Sequence, residues 1–98
     1  MGMVYGEAIE GLKVGRKVTR SALRQSGVDY IYLVKGSRFT VSRPPLSPDY
    51  DGQEVSYHGH IDAFHRVPDG CVGAGELHAM TWTPTNDDQL ADDWFFVD

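Results

Sequence analysis

The sequence predicts an α+β domain: a small antiparallel β-sheet with an N-terminal helix and a short C-terminal helix. Three observations carry this. Apolar residues recur at helical spacing near the start of the chain, and a helix-capping pattern recurs near its end. The middle alternates apolar and polar residues in short runs rich in aromatic and β-branched side chains. Those runs are separated by Gly, Pro and Asp turn signals. The chain has 98 residues, 41% of them hydrophobic, which suits one domain spanning 1–98.

Residues 5–14 read as an amphipathic helix, with Ala8, Ile9 and Leu12 on one face and Glu7, Glu10 and Lys13 on the other. Gly15 is its stop. A strand is expected over 16–23, then a turn at Ser26-Gly27. Residues 29–35 (DYIYLVK) form the strongest strand pattern in the sequence. Gly36-Ser37 reads as a turn and RFTVS over 38–42 alternates again, so 29–42 is expected to be a hairpin. Pro44, Pro45 and Pro48 then open a stiff loop reaching Gly52. Residues 54–64 read as one long two-faced strand. The turn Val67-Pro68-Asp69-Gly70 leads into a return strand from Cys71 to Trp82, with a bulge expected at Gly73-Ala74-Gly75. Thr85 is placed to cap a helix over 86–93, with Asp88 three residues on. Trp94 to Val97 closes the chain as a strand.

Composition excludes several classes. Nine basic residues stand against fourteen acidic ones, a net charge of −5, which argues against a binder of polymeric nucleic acid. No apolar run approaches the ~20 residues of a membrane span. The N-terminus lacks the basic and apolar regions of a signal peptide. Met1-Gly2 begins like a myristoylation site, but Gly6 stands where Ser or Thr is required. The single Cys71 permits no internal disulfide and no multi-cysteine zinc site. Charge is also uneven: Lys13, Arg16, Lys17, Arg20 and Arg24 form a block without acids, while every charged residue from Asp87 onward is an aspartate. Such blocks can be two solvated faces, or can pair with each other, with a second subunit, or with a small charged ligand.

Three features could carry chemistry. His58, His60 and Asp62 have the spacing that puts three metal-ligating groups on one strand face, a pattern that any polar strand face also shows. Cys71 lacks a local activating partner and reads as a small structural thiol. Trp82 directly precedes Thr83-Pro84-Thr85-Asn86-Asp87, a stretch dense in donors and acceptors; a flat ring beside polar side chains is one way to hold a nucleobase.

The segments YGEAIEGLKVGRKVTR (5–20), YLVKGSRFTVSRPPL (32–46), YHGHID (57–62) and WTPTNDDQLADDW (82–94), in this order, resemble the phage Thoeris anti-defence family of the second type. The resemblance implies a protein that counters a bacterial TIR-based immune system in the cytoplasm of the infected host. Such a protein sequesters a cyclic ADP-ribose isomer, such as glycocyclic ADP-ribose, without cleaving it. It needs no cofactor, and some members also take cyclic di- or trinucleotides. The family assembles as a homotetramer with pockets between subunits. Where members usually have a tryptophan, this chain has Leu23. On this reading the ligand-binding residues are Arg20, Phe39, Arg43, Trp82, Thr83, Asn86 and Asp87. The arginines would meet phosphate, Trp82 or Phe39 would stack on a base, and Asn86 and Asp87 would accept hydrogen bonds. The rival is a metal-dependent phosphodiesterase built on His58, His60 and Asp62. A third reading is a protein-binding module with no small ligand.

Overall fold

The structure is a computed structural model that describes residues 2–97. The start at Met1-Gly2 and the acidic end at Asp98 each include one residue outside that range. Helix α1 (Tyr5–Lys13) buries Ala8, Gly11 and Leu12. The Val4 amide donates to Glu7 at its start. At its end Gly15 adopts φ +89°. The Arg16 and Gly15 amides reach back to the carbonyls of Gly11 and Leu12, which satisfies the last turn.

The remaining elements are β1 (Lys17–Thr19), α2 (Ser21–Gln25), β2 (Tyr30–Val34), β3 (Ser37–Thr40), β4 (Glu54–Tyr57), β5 (His60–Arg66), β6 (Leu77–Thr81), α3 (Asn86–Leu90) and β7 (Phe95–Val97). Five strands form an antiparallel sheet in the order β6-β5-β2-β1-β7, and β3 and β4 pair separately. Helix α1 lies on one face of the sheet, where Ala8 and Leu12 join Val18, Ile31, Ala63, Leu23 and Trp94 in the core. Phe96 packs so closely on Gly11 that a Cβ there would overlap its ring. The α+β expectation, with an antiparallel sheet, an N-terminal helix and a short C-terminal one, is met.

Several boundaries differ from the sequence reading. The strand expected over 16–23 ends at Thr19, and Ser21–Gln25 is helical. Ala, Leu, Arg and Gln all favour helix, and Leu23 turns into the core as an anchor. The C-terminal helix stops at Leu90 because Ala91 is extended. The return strand starts only at Leu77; residues 71–75 are turns, with Gly70, Gly73 and Gly75 all at positive φ.

The largest correction concerns 29–42, which is not a hairpin. β2 pairs with β5 from Tyr30↔Phe64 to Val34↔His60, and β3 pairs with β4 from Ser37↔Tyr57 to Thr40↔Glu54. Two residues lie between Val34 and Ser37 and two between Tyr57 and His60, so one register runs through both ladders. Residues 30–40 and 54–64 are therefore the two strands of a single long ribbon, interrupted at Gly36 and Gly59. The two glycines meet backbone to backbone: a Cβ on Gly36 would lie 2.7 Å from the Tyr57 carbonyl oxygen, and one on Gly59 would lie 3.0 Å from that of Val34. Gly36 marks this close approach and not a reversal of the chain. The expected long strand over 54–64 is thus broken at His58-Gly59 and extends to Arg66.

Beyond the glycines the ribbon projects as an arm. The molecule measures 51 × 36 × 24 Å, and its radius of gyration of 17.0 Å exceeds the roughly 13 Å of a compact chain of this length. By strand alternation the arm has one apolar face, Phe39, Val41, Val55 and Tyr57, and one polar face, Arg38, Thr40, Glu54 and Ser56. Phe39 and Tyr57 remain 41% and 55% exposed. The loop at its tip is closed by hydrogen bonds between Val41 and residues 52 and 53, and stiffened by three prolines.

Candidate functional site: the Arg20–Asp88 junction and the Trp82 segment

Strand β1 delivers Arg20 to the end of the sheet, where it meets α3 and the segment after it. Arg20 Nη1 donates to Asp88 Oδ1 at 2.8 Å, and its Nε donates to Asp93 Oδ1 at 2.9 Å. The Arg20 and Asp88 side chains are only 13% and 9% exposed, whereas Asp93 is half-exposed. The Arg20 pKa rises further above its already high value. The Asp93 hydrogen bond is the foremost cause, burial opposes the rise, and the Asp93 charge and the Asp88 bond and charge add to it. Arg20 is therefore a permanent cation here. Its Nη2 group has no partner among the described residues.

Asp88 holds the junction together. Its Oδ2 accepts from the Thr85 amide at 2.9 Å, while its own amide donates to Thr85 Oγ1 at 3.1 Å, the reciprocal cap foreseen from the sequence. Its carbonyl accepts from the buried indole nitrogen of Trp94 at 3.0 Å. Trp94 is fully buried, and the Arg20 guanidinium carbon sits 5.9 Å from its ring centroid. Tyr5 stands against the same ring at 5.7 Å. Burial, and then the charge of Asp88, push the Tyr5 pKa up.

Trp82 follows β6 and is half-buried. Its ring meets Trp94 edge to face, with centroids 6.1 Å apart and planes at 87°. Its amide is fixed by the Ile61 carbonyl at 2.8 Å. Thr83, Asn86 and Asp87 are all exposed on the segment that follows. Arg20, Trp82, Thr83, Asn86 and Asp87 thus belong to one region, linked through Trp94 and Asp88. Phe39 and Arg43 lie apart from them, exposed on the arm.

His58, His60 and Asp62 do not form a set. His60 Nε2 lies 3.0 Å from Asp62 Oδ1, but His58 belongs to the break in the ribbon, where it lines a separate depression with Arg38 and Tyr57. Among the described residues no group of three His, Cys, Asp or Glu side chains is arranged to hold a metal ion. Cys71 is exposed, not a buried structural thiol. Leu23 is 7% exposed and packed in the core. No helix among the described residues is long and apolar enough to cross a membrane.

Pairing between the basic block and the acidic end, one of the alternatives the sequence left open, is realised at Arg20 with Asp88 and Asp93, but sequence reasoning did not single out these partners, 68 and 73 positions away. It also missed a depression of about 340 Å³ on the sheet face opposite α1, lined by Gly15, Lys17, Tyr30, Tyr32, Leu33 and Phe64. Strand alternation puts Tyr30, Tyr32, Phe64 and Asp62 on one side of β2 and β5, but nothing local revealed that this side stays open over Tyr30, Tyr32 and Phe64.

In comparison with known proteins, a family model described as the Thoeris anti-defense 2-like domain matches residues 3–97. No curated protein matches the chain.

Proposed function

Because the chain belongs to the Thoeris anti-defence 2-like family, whose model spans residues 3–97, we propose that it works as a sponge. It binds and sequesters, without cleaving, the cyclic ADP-ribose-type signal of a TIR-based defence, in the cytoplasm of the infected host. Cyclic di- or trinucleotides are further candidate ligands.

The observation that carries this reading is the Trp82 segment. A half-buried ring held by Trp94 and by a backbone bond is pre-organised, and exposed Thr83, Asn86 and Asp87 lie directly beside it in the chain. Such a ring offers a stacking surface at little conformational cost. The exposed side chains can accept from ribose hydroxyls or base amino groups. The Arg20 Nη2 group and the exposed Arg43 are the cations that this reading assigns to a diphosphate.

Phe39 and Arg43 lie on an arm whose apolar face, apart from the buried Val41, stays open at Phe39 and Tyr57, and a lone two-stranded ribbon is marginal in water. A homo-oligomer, a tetramer on our reading, covers that face. It also brings the arm of one copy to the body of another, so that one pocket draws on both halves of the residue set.

The test is to incubate the protein with candidate cyclic nucleotides, remove free ligand, denature by heat and analyse what is released. Intact ligand is expected. A cleaved product would turn the assignment to a phosphodiesterase. Release of nothing from any candidate would remove small-ligand capture.

A further inference from the structure

Two surfaces of this chain lack partners and complement each other. The first is the depression on the open sheet face. Tyr30 and Phe64 stack with centroids 5.0 Å apart, and Tyr32 meets Tyr30 edge-on at 6.3 Å. Lys17 Nζ stands 5.1 Å from the Tyr30 ring centroid, and Lys17 makes no ion pair among the described residues. The result is an aromatic socket with a single cation on its rim. The second surface is the tip of the arm. Tyr50 is 52% exposed and lies between Asp49 and Asp51, neither of which makes an ion pair among the described residues. The tip is ordered by its own backbone: the Tyr50 amide donates to the Leu46 carbonyl at 3.0 Å, and the Tyr50 carbonyl accepts from Gln53 at 3.0 Å.

The geometry points to an arm exchange in which Tyr50 of one copy enters the Lys17–Tyr30–Phe64 socket of a second copy, with Asp49 and Asp51 meeting Lys17. This deepens the oligomer reading above by naming its contact. Three features select a second copy as the occupant. The charges match: two carboxylates and one ammonium, none of them in an ion pair among the described residues. The socket's volume of about 340 Å³ accommodates a phenol ring, which gains by edge-to-face contact with Tyr30 and Tyr32. The tip also cannot serve its own socket. Socket and tip lie on opposite sides of Gly36 and Gly59, and the arm runs away from the sheet. Two reciprocal insertions give a closed two-fold dimer, which can itself pair into a tetramer. The stiff tip loses little freedom on docking.

The test uses the full chain and three variants: Lys17→Glu, Asp49→Lys/Asp51→Lys, and Tyr50→Ser. All change exposed side chains, and circular dichroism checks folding. Light scattering after gel filtration should give a multiple of the 10.9 kDa chain mass for the wild type. Each variant alone should weaken self-association at least about 10-fold, as expected when a charge pair becomes a like-charge contact or an anchor ring is lost. Mixing Lys17→Glu with Asp49→Lys/Asp51→Lys should restore association, because each supplies the partner the other lacks. A monomeric wild type would overturn both the oligomer reading and this contact. An oligomeric wild type whose mass survives every variant would overturn the contact alone, as would a mixture that fails to reassociate. Loss of nucleotide capture in Lys17→Glu at unchanged mass would assign the socket to the ligand instead.

Discussion

Replacing Asp88 with asparagine should destabilise the fold far more than the same change at Asp93, the other carboxylate on Arg20. The carboxylate uses both oxygens, one for Arg20 at 2.8 Å and one for the Thr85 amide at 2.9 Å. An amide keeps one acceptor and turns an NH2 group toward either a guanidinium or a backbone N–H, so one contact becomes donor against donor. Arg20 and Asp88 are 13% and 9% exposed, and removing one member of a buried pair costs about 3–5 kcal/mol. Part of the helix cap, typically worth about 1 kcal/mol, falls within that range. Asp93 remains to hold Arg20, which favours the lower end, about 3 kcal/mol. For a domain of this size each kcal/mol moves Tm by about 4–8 °C, so a fall of at least roughly 12 °C is expected. Asp93→Asn is the control. Its bond is the foremost reason the Arg20 pKa rises, yet the carboxylate is half-exposed and water can replace it, so its loss should cost about 1 kcal/mol or less. Urea denaturation of both variants decides the matter. An Asp88→Asn cost below about 1 kcal/mol, or one equal to that of Asp93→Asn, would refute the assignment of Asp88 as the organising residue.

Other outcomes follow from the same structure. On the proposed sponge function, Trp82→Ala should weaken capture of a cyclic nucleotide by roughly 5- to 150-fold, the range of about 1–3 kcal/mol for base stacking. Because the ring also packs on Trp94, calorimetric titration should be paired with a melting curve. Unchanged affinity in the folded fraction would leave Trp82 a packing residue only. Leu23→Trp should lower stability by about 1–3 kcal/mol through overpacking, since Leu23 is core and not pocket wall; a stable variant with tighter binding would contradict that placement. Burial foremost, then Asp62's charge and hydrogen bond and the neighbouring Tyr30, raise the Tyr32 pKa above its ordinary 10.0. The unfolded chain therefore loses that proton first. Stability from Tyr32 is complete below pH 10 and declines as pH rises through the folded-state value. Denaturation between pH 9 and 11 should show this decline, with a shallower slope in Tyr32→Phe.

Elements with strong local signals were legible in the sequence. The Ala8, Ile9 and Leu12 spacing and the Gly15 stop defined α1, and Thr85 with Asp88 defined the start of α3. The ribbon was misread because Gly36-Ser37 has the composition of a turn, while the close approach that demands Gly36 comes from Gly59, far along the chain. The strand expected over 16–23 failed for another reason: its weak alternation hid the helix-favouring run of α2, which begins just after Arg20. The charge blocks showed that Arg20 could pair with the acidic end, but no local pattern selects Asp88 and Asp93, 68 and 73 residues away. At the candidate site the sequence marked the Trp82 segment through its composition. The uncovered sheet face stayed hidden, because alternation shows which side chains share a face but not whether another layer lies over it.

The paired glycines make the arm a lever. From Gly36 to the tip the ribbon extends about 20 Å at strand spacing, so a change of only 10° at the break moves the tip by about 3.5 Å, close to an aromatic contact distance. In the arm exchange proposed above, these two small positions, outside both socket and tip, would set the spacing of the copies. Since each glycine faces the opposite strand's backbone, a side chain at either one would redirect the whole arm.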